Sequence, residues 1–291
     1  RGAHAQVQRR AASFEFNTKS LRAFVFDRVR HEAADRLVPL LRQASRNGQV
    51  LDLQNEEGER FFRAFHAAAH LSVDRLKLPH PLVWKLKRWL DTEDERRLRE
   101  STAVVHEFVD KPDVVDHIRE ELRLVRARRC EPGGEAFTLE ELREMNYLHA
   151  AIAESLRLHP AVPLLPRVCA ADDEMPDGTR VRRGWTVMYN SYAMGRAEAI
   201  WGKDCGEYRP ERWLEVGVFQ ARSAFQYPVF HAGPRMCLGK EMAVIQMKAI
   251  TASILEGLDM ELAEPRGKHD LSISMRMEGG LPMRFRERRA P

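Results

Sequence analysis

The stretch Phe230-His231-Ala232-Gly233-Pro234-Arg235-Met236-Cys237-Leu238-Gly239 decides the reading of this chain. It sets one cysteine behind a glycine-bearing loop and ahead of a helical pattern over residues 239–256. A thiolate that holds a metal beneath a flat cofactor needs such an arrangement. Gly233 and Gly239 can take backbone angles closed to other residues and let a flat group approach the main chain. Amides in the loop and at the following helix start can face the sulfur and favour its anion. Arg235 supplies a permanent cation two residues before the cysteine, suited to a carboxylate. Phe230, Met236 and Leu238 are apolar cover that would keep water from the metal.

The other cysteines, Cys130, Cys169 and Cys205, read as structural thiols. Four unevenly spaced cysteines suggest no disulfide framework, and no C-x-x-C pair suggests zinc. The net charge of +4 is spread along the chain and argues against nucleic-acid binding. No apolar run approaches the ~18–20 residues of a membrane span. The chain opens on Arg1 rather than Met, which reads as an interior point of a longer protein.

In chain order, residues 17–45 read as one amphipathic helix with Leu21, Phe24, Val25, Leu37, Leu40 and Leu41 at helical spacing. Asn47-Gly48 marks a turn, and the apolar pattern stops abruptly after Gln54. Helical patterns follow over 59–76, around Trp84 to Leu90, and over 92–109. Thr138 and Glu141 form a capping box that opens a helix with Leu142, Met145, Leu148, Ile152 and Leu156 on one face. Residues 162–168 and 181–189 are β-rich and joined by a turn at Pro176-Asp177-Gly178. After the cysteine, a helix over 239–256 buries Ala243, Ile245, Met247, Ile250 and Ile254. Short strands then run over 258–262, 271–277 and 281–285, with Gly279-Gly280 as a turn.

The F-x-x-G-x-R-x-C-x-G order of Phe230, Gly233, Arg235, Cys237 and Gly239 resembles the haem-ligand loop of cytochromes P450. Two upstream motifs carry the same resemblance. Glu154-Ser155-Leu156-Arg157 matches the family's E-x-x-R pair, and Pro210-Glu211-Arg212-Trp213 matches its P-E-R-[FW] motif. The resemblance implies that Glu154, Arg157 and Arg212 form a structural triad on the haem side of the core. It also implies that Cys237 is the axial iron ligand. Arg235 and Arg167 would then meet haem propionates, although Arg167 also reads as a solvent-facing strand residue. Arg9 aligns with the Arg of a W-x-x-x-R pattern whose Trp position holds Ala5, so Arg9 is either a propionate ligand or a surface cation.

The resemblance covers most of the chain and is most specific over residues 111–291. It implies a mainly α fold with small β-sheets, an incomplete form of the P450 fold in a single domain. Residues 1–110 would be a partial, helical, substrate-side region and 111–291 the haem-binding half. Local strings such as Tyr192 to Arg196 and Phe230 through Ala243 are most similar to plant P450s of the fatty-acid ω-hydroxylase group. That likeness implies haem b, electrons from NADPH through cytochrome P450 reductase, and a fatty-acid-like substrate. It implies placement on the cytosolic face of the endoplasmic reticulum membrane, or in the cytosol if the anchor is lacking.

The [AG]-G-x-[DE]-T-[TS] segment, whose acid and Thr relay protons in the family, is missing from the sequence. The gap is expected between Asp110 and Lys111, with another near residues 54–55. No proton-relay catalytic residue is therefore assigned. Two readings stand: a haem-thiolate monooxygenase, and a truncated, non-catalytic relative with weak or no haem binding. A helical interaction protein would leave the Cys237 loop and both motifs as coincidence.

Overall fold

The computed structural model describes residues 19–52, 111–129, 136–263, 269–271, 275–277 and 282–288. The helical patterns expected within 53–110, Arg9 and the Gly279-Gly280 turn lie outside these residues.

The first helical stretch is two helices, not one. α1 (Lys19–Glu32) and α2 (Val38–Asn47) are joined by a wider π turn over Ala33–Leu37. Pro39 accounts for the interruption: it has no N–H to donate to residue 35, and its ring crowds that carbonyl. The π turn shifts the register so that Val25, Val29, Ala33, Leu37 and Leu41 all stay buried. α2 stops at Gly48, whose φ of +65° lets its N–H return to the carbonyls of Ala44 and Ser45.

α3 (Pro112–Ala127) begins with a proline at its first position and Asp113 in its first turn, both favourable at a helix N-terminus. It buries Val114, Val115, Ile118, Leu122 and Val125.

The Thr138–Glu141 capping box is present in both directions, at 3.2 and 2.6 Å. The helix it opens is shorter than the apolar pattern suggests. α4 (Leu139–Glu144) ends at Met145, and α5 (Asn146–Leu158) starts afresh. Charges from other helices satisfy the break. Glu121 of α3 accepts from the N–H groups of Tyr147 and Leu148 at 2.8 and 2.9 Å. Lys248, from the helix after the cysteine loop, donates to the carbonyl of Leu142 at 2.8 Å. Burial raises the Glu121 pKa against the pull of those N–H groups, and it brings that of Lys248 down to about 8.

The β-rich stretches divide further than the sequence suggests. β2 (Leu164–Val168) pairs antiparallel with β5 (Thr186–Asn190). The turn at Asp177-Gly178 joins a separate short pair, β3 (Asp173–Glu174) and β4 (Arg180–Val181). Two one-turn helices follow, α6 (Ser191–Met194) and α7 (Glu198–Trp201). A 3-10 turn over Pro210–Trp213 then leads into the tight hairpin of β6 (Leu214–Glu215) and β7 (Val218–Phe219).

α8 (Lys240–Gly257) is the centre of the packing. Every residue from Met247 to Ala252 is buried, so no face of its middle turns meets water. It contacts α1, α3, α4 and α5. β8 (Leu258–Leu262) follows directly. The stretch 271–277 is not one strand. β9 (His269–Leu271) and β10 (Met275–Met277) pair with each other as a hairpin. β11 (Pro282–Glu287) runs between β8 and β1 (Val50–Asp52) in a three-stranded antiparallel sheet. Among the described residues no helix is long and apolar enough to cross a membrane.

Candidate functional site

The site rests on a buried ionic lock. Glu154 and Arg157 face the same side of α5, one turn apart, and are 0% and 1% exposed. Arg157 Nε and Nη2 donate to the two carboxylate oxygens of Glu154 at 2.7 and 2.8 Å. Arg212 Nε donates to Glu154 Oε1 at 2.9 Å. The carboxylate also accepts from the Trp213 indole N–H and the Arg209 backbone N–H, each at 2.9 Å. The rest of the Arg157 guanidinium is used up on carbonyls of Gly195, Cys205 and Glu207. Burying three charges is unfavourable unless every lone pair and N–H has a partner, and here they are partnered. Burial works against the Arg212 charge. Glu154 and Asp204 outweigh it and hold the guanidinium pKa above its ordinary value.

The chain entering the cysteine loop packs on this core through Tyr227, whose hydroxyl donates to the Ala153 carbonyl and whose ring meets Trp213 edge-on. A 3-10 turn, Pro228–Phe230, leads to His231, a second 3-10 turn covers Gly233–Arg235, and Gly239 is the N-cap of α8. The Cys237 N–H donates to the Phe230 carbonyl at 2.7 Å and closes the loop. That amide is engaged within the loop backbone. Gly233 has φ +60° with open space where a side chain would begin. Gly239 does not need glycine's freedom, since its φ is −88°. The unusual backbone falls on His231 instead, at φ +61°. Cys237 is half-buried, as are Phe230 and Leu238, whereas Met236 is exposed and gives no apolar cover.

Arg167 comes to the loop from β2. Its Nη2 lies 3.1 Å from His231 Nδ1, and the Tyr189 hydroxyl of β5 lies at the same distance from that nitrogen. Arg235, on the second 3-10 turn, is exposed. The structure thus brings Arg167 to His231 of the loop that carries Phe230, Gly233, Arg235, Cys237 and Gly239, and it joins Glu154, Arg157 and Arg212 in a separate buried cluster. Sequence reading missed Trp213, Asp204, Gly195, Tyr189 and His231. Trp213 was within reach, because a buried indole N–H beside Arg212 needs an acceptor. Asp204 and Gly195 carry no local signal.

A family model for cytochrome P450 matches residues 100–282. The chain belongs to the cytochrome P450 family. Cytochrome P450 CYP94D108 of Paris polyphylla is 41% identical over 377 residues, covering 99% of this chain and 76% of that protein. Cytochrome P450 94A1 of Vicia sativa is 31% identical over 382 residues, covering 99% and 73%. Both alignments are longer than this 291-residue P450, so the relatives carry internal stretches with no counterpart here. A crystal structure of a cytochrome P450, CYP102L1, matches with a TM-score of 0.57 at 24% identity. The match covers 69% of this chain and 44% of the solved one, and it is a likeness of fold. The described elements thus make up part of a P450 fold, mainly helical with small sheets.

Family membership implies haem, and the residues present fit it. A half-buried thiol ahead of a helix start can supply an anionic ligand. The Gly233 backbone carries no side chain and has no described atom within 4 Å of its Cβ position, so a flat group can approach the main chain there. Arg167 and Arg235 offer guanidiniums of the right chemistry for two carboxylates.

Proposed function

We propose that this chain is a haem-thiolate protein of the monooxygenase type, with Cys237 as iron ligand and a fatty acid or related aliphatic chain as substrate. The observation that carries the reading is the convergence of Arg167, from a separate strand, with the Cys237 loop. A cysteine loop alone is only a thiol, but a thiol with a cation delivered from elsewhere in the fold is a cofactor seat. Haem, when bound, supplies the redox chemistry by which one atom of O₂ enters a C–H bond. The residues of the chain bind and orient it. Cys237 donates the thiolate, Arg167 and Arg235 hold the propionates, and Phe230 and Leu238 line the seat. Glu154, Arg157 and Arg212 keep the core rigid. The likeness to plant P450s of the fatty-acid ω-hydroxylase group supports the substrate class, electrons from NADPH through cytochrome P450 reductase, and work at the cytosolic face of the endoplasmic reticulum.

The test is the carbon monoxide difference spectrum of the reduced chain expressed with haem. A strongly red-shifted Soret band supports thiolate ligation, and its absence sinks the reading.

A second reading is a P450 relative that holds haem weakly and does not turn substrate over. The missing acid–Thr segment and the relatives' unmatched internal stretches favour it. Tightly coupled hydroxylation with little peroxide release would eliminate it.

A further inference from the structure

We infer that His231 is a positioning residue that holds Arg167 in place over the cysteine loop; the inference rests on the reading of Arg167 as a cofactor cation. His231 combines two unusual features. Its backbone, at φ +61° and ψ 178°, is in a region that disfavours every residue but glycine. Its ring nitrogen Nδ1 meets two groups from the β2–β5 pair, Arg167 Nη2 and Tyr189 Oη, each at 3.1 Å. A guanidinium only donates, so Nδ1 is the acceptor and carries no proton in this contact. The strained backbone is what turns the imidazole out of the loop and toward the strands.

The contact reaches across 64 positions of sequence and ends beside the loop's own closure. The Phe230 carbonyl, adjacent to His231, accepts the Cys237 N–H, and the His231 N–H donates to Pro228 at 2.7 Å. Arg167 is otherwise exposed, and among the described residues its remaining bond runs to its neighbour's carbonyl, Nη1 to Pro166 at 2.8 Å. An exposed arginine samples many rotamers, and fixing one costs side-chain entropy. His231 fixes it before the ligand arrives, so less order is left for a carboxylate to impose. No family motif marks this position, because it is one of the variable letters between Phe230 and Gly233.

The experiment has an apo arm and a ligand arm, both on the full chain. In the apo chain, nitrogen NMR should show His231 Nδ1 unprotonated, and His231→Ala should shift the Arg167 Nε–H resonance. In the ligand arm, affinities are measured for haem and for haem dimethyl ester, which lacks carboxylate charge. His231→Ala should weaken haem about tenfold, the loss expected for one charge-assisted contact, and leave the ester unchanged. His231→Asn should recover most of the loss, since its side-chain oxygen accepts. In an Arg167→Ala background, His231→Ala should have no further effect.

Equal losses for haem and ester, or additive losses with Arg167→Ala, would overturn the inference. A loss with Arg167→Ala and none with His231→Ala overturns the inference alone. Unchanged haem affinity in Arg167→Ala overturns the cofactor reading of Arg167 and the inference with it. An apo chain whose Arg167 resonance ignores His231→Ala overturns the positioning contact whatever haem does.

Discussion

Glu154 and Arg212 lie 58 positions apart in sequence and are joined by a 2.9 Å hydrogen bond at a carboxylate that water does not reach. The bond ties the chain after α7 to α5. Removing Arg212 would take one of two guanidiniums from a buried carboxylate and leave Asp204 to Arg209 alone. Arg212→Ala should therefore lower unfolding free energy by about 3–5 kcal/mol, read from urea melts followed by far-UV circular dichroism. A loss below about 1 kcal/mol would mean that Arg157 alone suffices for Glu154.

Gly195 tests the other side of the lock. A Cβ added there would run into the carbonyl oxygen of Arg157, and the Gly195 carbonyl accepts from the Arg157 guanidinium. Gly195→Ala should be destabilising by about 2 kcal/mol or more, although alanine is the better helix former. A neutral substitution in the same melts would show that α6 can move away from α5 freely.

Val216 offers a gain. It occupies the first position of the two-residue turn between β6 and β7 at φ +50°, followed by Gly217 at φ +77°, and it is 98% exposed. Such turns favour Asn-Gly, and a β-branched residue is strained there. Val216→Asn should stabilise the chain by about 1 kcal/mol, with no effect on any cofactor spectrum. A lower melting midpoint would refute the turn assignment.

His149 sets an acid limit. Its ring stacks on Phe219 with centroids 3.7 Å apart, and burial, helped by Lys248 and Lys240, lowers its pKa to about 3. The folded state thus favours the neutral ring, while the unfolded chain titrates near the ordinary 6.5. Stability from this group is complete above about pH 6.5 and is lost as pH falls toward 3, by about 2 kcal/mol at pH 5. His149→Phe keeps the stack and should flatten this slope. An unchanged slope in the pH series of urea midpoints would assign it to another group.

Cys237→Ala should abolish the red-shifted carbon monoxide band without changing the unfolding free energy by more than about 1 kcal/mol, because the thiol makes no bond on which the loop depends. The loop is closed by the Cys237 N–H, which alanine retains. A surviving band would require another thiolate.

Motifs made the centre of this protein legible, whereas periodicity blurred its edges. Glu154, Arg157 and Arg212 could be grouped because arginine and carboxylate chemistry at those spacings has few other uses. The break at Met145 stayed hidden, since Leu142, Met145 and Leu148 remain apolar through it and its determinants, Glu121 and Lys248, come from other helices. Pro39 was visible, but where the chain would absorb it was not. The strand pattern of 162–189 showed β character and not pairing, because one run of residues serves two separate sheets. His231 was quoted at the outset and given no role. Its importance depends on Arg167 and Tyr189, which only the fold brings near.

β11 lies between β8 and β1, and Glu287 accepts from Arg46 across 241 positions. A helical protein assembled from neighbours folds fast, but this closure couples the earliest described helices to the latest described strand. During synthesis α2 and β1 would leave the ribosome long before β11 exists. Their apolar faces would need shelter for that interval. The rate of acquiring native structure should thus track the emergence of β11 rather than the appearance of the helices. Chaperone dependence should fall on the nascent segment that holds α2 and β1.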